Sequence, residues 1–83
     1  MTFKEANAAL RRGKRVQRRG WTDKGQYIEL ARIESYVNLN GDVITLNQGK
    51  AAITTIAFVS ASATYLGWLA SQDDMASHDW VQL

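Results

Sequence analysis

Near the C-terminus, "WLASQDDMASHDW" runs from Trp68 to Trp80 and holds the chain's only histidine. Ser71-Gln72-Asp73-Asp74 has the shape of a capping box, with Asp where the longer Glu or Gln is usual. Two acids in the first turn also suit the positive end of a helix. The stretch therefore predicts a short helix capped by Ser71. Trp68 and Trp80 flank it and read as core residues that close a sheet, their indole N–H groups finding partners among nearby polar residues. Trp80 to Leu83 can then return as a terminal strand.

The same residues could be read as chemistry. Asp74 and His78 are four apart, which would place them on one helix face. Two ligands fall short of the four that a structural metal site wants and the three of a catalytic one. Ser71 sits at the cap, a turn or more from His78, which is poor geometry for a Ser-His-Asp nucleophile. A hydrolase using Asp74, His78 and Asp79 is thus the weaker reading. No catalytic residue, metal ligand or cofactor is assigned.

Outward from this block, Thr2-Phe3-Lys4-Glu5 is a second capping box. Phe3, Ala6 and Leu10 share one helix face, Arg11 and Arg12 suit the last turn, and Gly13 supplies a left-handed stop. A helix is predicted over residues 2–12. Val16, among long polar neighbours, suits a short strand. Gly20 to Gly25 reads as a loop bounded by two glycines. Gln26 to Ala31 alternates as a strand, with Ile28 and Leu30 on one face and Tyr27 and Glu29 on the other. Tyr36 to Leu39 and Asp42 to Leu46 flank Asn40-Gly41, a strong two-residue hairpin signal. Asn47 to Lys50 reads as a turn, Ile53 to Val59 as a well-buried strand, and Thr64 to Leu66 as a short strand. The order implies one α+β domain over residues 1–83, an N-terminal helix packed on an antiparallel β-sheet and closed by the short capped helix and terminal strand.

At 83 residues with no cysteine, the chain has room for one modest core and no disulfide to reinforce it. Oligomerisation is the expected reinforcement. No apolar stretch approaches the roughly 20 residues of a membrane helix, and no secretory h-region is visible. The expectation is a soluble, cytoplasmic protein with no membrane partner.

The net charge of +2 hides an asymmetry. Lys4, Arg11, Arg12, Lys14, Arg15, Arg18 and Arg19 precede Gly20, whereas Asp73, Asp74 and Asp79 gather near the end. The basic end could meet phosphates of a nucleotide or of nucleic acid, or it could simply pair with the acidic end. Trp21 follows Arg15, Arg18 and Arg19 directly. An aromatic plane beside guanidinium groups can stack a base and pair its phosphates. Equally, Trp21 could fold over the core as a lid, and chemistry alone favours the lid. A nucleic-acid-binding module stays a secondary reading, because no helix-turn-helix or aromatic RNA-binding signature is present.

Phe3, Ala6 and Leu10, then "GKRVQRRGW" (13–21), Lys24 to Ile28, and the closing block from Trp68 to Trp80 resemble the Thoeris anti-defence two family of phage and bacterial domains. The resemblance lies at both ends and covers about half the chain; the middle, from Arg32 to Thr64, carries none. It implies a non-enzymatic sponge that binds cyclic ADP-ribose isomers made by Toll/interleukin-receptor-domain enzymes of bacterial immunity. Some members hold cyclic dinucleotides in separate pockets. It also implies a homo-oligomer, dimer or tetramer, with pockets between protomers, working in the host cytoplasm if phage-encoded. Carried over residue by residue, it gives Trp21 a stacking role and makes Arg18 a candidate for phosphate pairing, with Arg15 and Arg19 beside it. Trp68, Ser71, Asp74, Asp79 and Trp80 become pocket wall or scaffold. Thr22 stands where the family usually has Asn, which removes an amide donor and acceptor and puts the ligand's identity in question. His78 stands where an acid is common. A different small-molecule ligand, or none, remains an alternative.

Overall fold

The computed structural model describes residues 1–46 and 53–83. Helix α1 (Phe3–Arg11) starts on a complete capping box: the Glu5 N–H donates to Thr2 Oγ1, and the Thr2 N–H donates to the Glu5 carboxylate. It stops at Gly13, whose φ of +78° suits a residue without Cβ. There the Gly13 and Lys14 N–H groups donate to the Leu10 and Ala9 carbonyls, the paired hydrogen bonds of a Schellman stop.

The main sheet contains β1 (Val16–Arg18), β2 (Tyr27–Ile33), β5 (Ile53–Val59), β6 (Thr64–Leu66) and β7 (Trp80–Gln82). Their order is β6-β5-β2-β1-β7, and the pairings are antiparallel. Val16 lies opposite Ile28, and Ile28 opposite Phe58, so these side chains share one face. Helix α1 packs on that face and buries Ala6, Ala9 and Leu10 against Val16, Ile28 and Trp80. Helix α2 (Gln72–Ala76) follows β6, and β7 then returns beside β1. The architecture is the α+β arrangement expected from the sequence.

Four local expectations need correction. The segment between the two glycines is a 3-10 helix, Arg19–Lys24, ended by Gly25 at φ +61°. Its tight turns swing Trp21 back over the core instead of leaving it in an open loop. The hairpin of β3 (Ser35–Val37) and β4 (Val43–Thr45) exists, but Val37 pairs with Val43 across a five-residue connection. Asn38 explains the longer loop: its Oδ1 accepts from the Asn40 and Asp42 N–H groups and outcompetes a two-residue turn. Within β5, only Ala57 is fully buried among the side chains described, because the helix covers the other end of the sheet. Finally, α2 ends at Ala76, so His78 does not share a helix face with Asp74. The turn expected at Asn47 to Lys50 lies outside the described residues.

Candidate functional site

Three tryptophans that are far apart in sequence meet on the helix-covered face. The ring of Trp21 lies 5.3 Å from Trp80, 5.5 Å from Phe58 and 6.0 Å from Trp68, each nearly perpendicular. Edge-to-face contacts of this kind place positive ring edges on negative ring faces. Trp80 is fully buried, while Trp21 and Trp68 are half-buried. The lid expected of Trp21 is therefore present. The cluster does not end at a closed core. Phe58 and Trp68 go on to line an open cleft of about 390 Å³, whose other walls are Tyr65, Leu66 and Gly67.

Beside the cluster, Arg18 gathers the acids of the closing block. Its Nη1 donates to Asp73 at 2.9 Å and to Asp74 at 3.0 Å, and its Nε donates to Asp79 at 3.0 Å. Its bonds to Asp79 and Asp73 hold the guanidinium proton more tightly than usual. Burial pushes the Asp74 carboxyl up, but the Ser71 N–H and hydroxyl and the Arg18 guanidinium outweigh it, and the net direction is down. Asp79 is lowered chiefly by its bond from Arg18. Ser71 is the N-cap: its Oγ accepts the Asp74 N–H, and its own N–H donates to the Asp74 carboxylate. Trp80 Nε1 donates to the Asp74 carbonyl at 2.9 Å, which supplies the polar partner a buried indole needs. Met1 completes the closure, since its N donates to the Trp80 carbonyl and its carbonyl accepts from the Trp80 N–H.

The remaining expected residues fall in different places. Arg15 donates to Glu29 at 3.0 Å and stacks over Tyr27. Strand alternation puts Glu29 on the sheet face opposite Ile28, away from the tryptophans. Thr22 donates to Gln17 Oε1 at 2.8 Å, and Gln17 Nε2 donates to the Gln26 carbonyl, which ties the 3-10 segment to β1. Arg19 is exposed, and its guanidinium makes no hydrogen bond or ion pair among the described residues. Lys4 and Arg11 line a separate groove with Phe3, Asn7, Ala8 and Met75. The basic residues thus occupy several faces of the molecule.

Sequence reasoning missed the cleft residues Phe58 and Tyr65 and the buried Gln17. Alternation of Ile56 and Phe58 along β5 could have placed Phe58 on the helix-covered face. Nothing local marks Gln17, a polar residue in a polar run. No group of three potential metal-ligating side chains occurs among the described residues, and no helix there is long and apolar enough to cross a membrane.

These features define a small α+β domain with an aromatic cluster that opens into a surface cleft. Residues 1–83 match the Thoeris anti-defense 2-like domain, so the chain belongs to that family over its whole length. Membership points to a role in countering Thoeris defence. No curated protein matches the chain.

Proposed function

We propose that the protein sequesters a cyclic nucleotide immune signal, a cyclic ADP-ribose isomer or a cyclic dinucleotide, without turning it over. The observation that carries this reading is the aromatic cleft. Phe58 and Trp68 pack on Trp21 on one side and line open space on the other. A base stacked on such walls gains about 1–3 kcal/mol. Whole-length family membership makes a Thoeris signal the first ligand to test.

Roles follow from how each side chain is already engaged. Trp68 is stacking wall, and Trp21 sets its orientation from behind. Arg19, on the same short helix as Trp21, is the cation for phosphate. Arg18, Ser71 and Asp74 are scaffold, since three carboxylates surround the one guanidinium and a phosphate there would meet net negative charge. Thr22 and Arg15 are tied to Gln17 and Glu29 and stand behind the site. Sequestration rather than catalysis fits the chemistry of the walls, which offer no acid, base or nucleophile beyond the Tyr65 phenol. Such a sponge works in the host cytoplasm as a homo-oligomer, where the signal is made.

The test is calorimetry of the purified protein against cyclic ADP-ribose isomers and cyclic dinucleotides. The ligand is expected back intact after long incubation. Trp68→Ala should lower affinity by about 1–3 kcal/mol while unfolding stays cooperative. Absence of heat with every compound in the panel would sink the reading.

A further inference from the structure

The 3-10 helix Arg19–Lys24 links β1 to β2 at one end of the main sheet. Consecutive side chains on such a helix point about 120° apart, so Trp21 and Thr22 leave it in different directions. Trp21 goes to the helix-covered face and packs on Phe58, Trp68 and Trp80. Thr22 goes to Gln17. Val16 points into the core under α1, so strand alternation puts the Gln17 side chain on the opposite face. One short turn is therefore gripped from both faces of the sheet at neighbouring residues. Gln17 is the only buried polar residue among those described, and both ends of its amide are used. Its Oε1 accepts from the Thr22 hydroxyl at 2.8 Å, and its Nε2 donates to the Gln26 carbonyl at 2.8 Å. The Gln26 N–H in turn donates to the Trp21 carbonyl at 3.2 Å. The amide thus reaches Trp21 by two routes, through the residue after it and through the residue that holds its carbonyl.

We propose that Gln17 is a positioning residue for the aromatic cleft. Through Thr22 and Gln26 it fixes Trp21, and Trp21 fixes the Phe58 and Trp68 walls on which a planar ligand group stacks. A buried amide must keep its partners, so Gln17 admits few positions for the turn that carries Trp21. The ring itself is half-buried. Edge-to-face contacts are weak one by one, so a single ring orientation needs a fixed backbone beneath it. A wall fixed in advance spares the ligand the cost of ordering it on binding. The role in binding rests on the sequestration reading; the fixing of Trp21 does not.

Protein labelled with 5-fluorotryptophan tests the tie without nucleotide, with Trp21→Phe and Trp68→Phe assigning the three fluorine lines. The wild-type Trp21 line is expected to be single and narrow. Gln17→Leu, which keeps the bulk and removes both bonds, should broaden or split it and leave the Trp80 line narrow. Thr22→Val should do so in part, and Thr22→Ser, which keeps the hydroxyl, should restore the narrow line. Thr2→Ala loses a helix cap without touching the tie, so its Trp21 line should stay narrow and show that lowered stability alone does not mimic the effect. Calorimetry with cyclic ADP-ribose isomers and cyclic dinucleotides should give an affinity about tenfold lower in Gln17→Leu and near wild type in Thr22→Ser. Circular dichroism reports whether each variant folds; Thr22 is exposed, so Thr22→Val decides if Gln17→Leu does not fold. A Trp21 line that stays narrow in both variants overturns the proposal. So does a broadened line with wild-type affinity, which would make the tie structural only. A wild type that binds no compound of the panel overturns the sequestration reading, and the fluorine lines alone then decide the tie.

Discussion

Helices α1 and α2 begin the same way and are held in opposite ways. Each starts on a capping box with both reciprocal bonds made. Helix α1 then buries Ala6, Ala9 and Leu10, whereas α2 buries none of its residues. Instead α2 hangs on Arg18, through Asp73 and Asp74, and on the indole of Trp80, through the Asp74 carbonyl. Five residues are too few to form a stable helix alone. A cap decides where a helix starts, and tertiary partners decide whether it stays. An apolar anchor and a polar anchor respond to different perturbations, which makes the contrast testable.

The largest effect should come from the residue that serves both helices. Trp80 meets Phe3 of α1 at 5.6 Å and bonds to α2. Trp80→Ala should cost about 3–5 kcal/mol in urea unfolding, and a loss below about 1 kcal/mol would mean the closing block is not part of the core. Leu10→Ala should cost about 3 kcal/mol through the cavity it leaves under α1, with little dependence on salt. Arg18→Ala should cost about 2 kcal/mol, the worth of hydrogen bonds to charged groups. This cost should shrink at high salt, because the network is partly exposed. Equal salt sensitivity in the two variants would erase the contrast.

Acid separates the anchors further. Asp74 and Asp79 are lowered in the folded protein, so the stability they add is fully present above the ordinary carboxylate pKa near 4. It is lost as pH falls through their folded values. Wild-type stability should therefore drop in acid, and Arg18→Ala should flatten that drop while Leu10→Ala leaves its slope unchanged. Glu5, lowered by the Thr2 N–H, keeps a residual slope in both, and Asp74, still held down by the Ser71 N–H and hydroxyl, adds to the slope that Arg18→Ala retains. Thermal unfolding from pH 7 to pH 2 reads all three proteins. The smallest effects belong to the caps. Thr2→Ala and Ser71→Ala should each cost about 1 kcal/mol locally. Amide exchange should show the Ser71 change confined to α2, which can open without the rest of the domain.

Much of this fold was legible in the sequence because its signals are local. Thr2–Glu5 and Ser71–Asp74 marked both helix starts, Gly13 marked a stop, and alternation through Ile28 and Leu30 marked the central strand. Local rules failed where a side chain rewrote the backbone's choice. Asn38 turned an Asn-Gly signal into a five-residue loop, and the 3-10 turn at Arg19–Lys24 served the packing of Trp21 rather than its own glycines. The candidate site was harder to read. Trp21 and Trp68 were visible as aromatics near charge or glycine, but Phe58 and Tyr65 looked like ordinary strand residues.

The sequence by itself determined the α+β class, the two capped helices and the family, since these rest on spacing between neighbours and on the residues of the two end blocks. Only the tertiary structure decided what the charges do. Sequence placed Arg18 beside a tryptophan as a phosphate candidate; folding brought it to three aspartates more than fifty residues away and satisfied it there. It likewise gathered Trp21, Phe58, Trp68 and Trp80 into one cluster with an open side. The physical reason is range. Capping and alternation act over a few residues, whereas ion pairing and aromatic packing depend on distances that only the assembled strands and helices set.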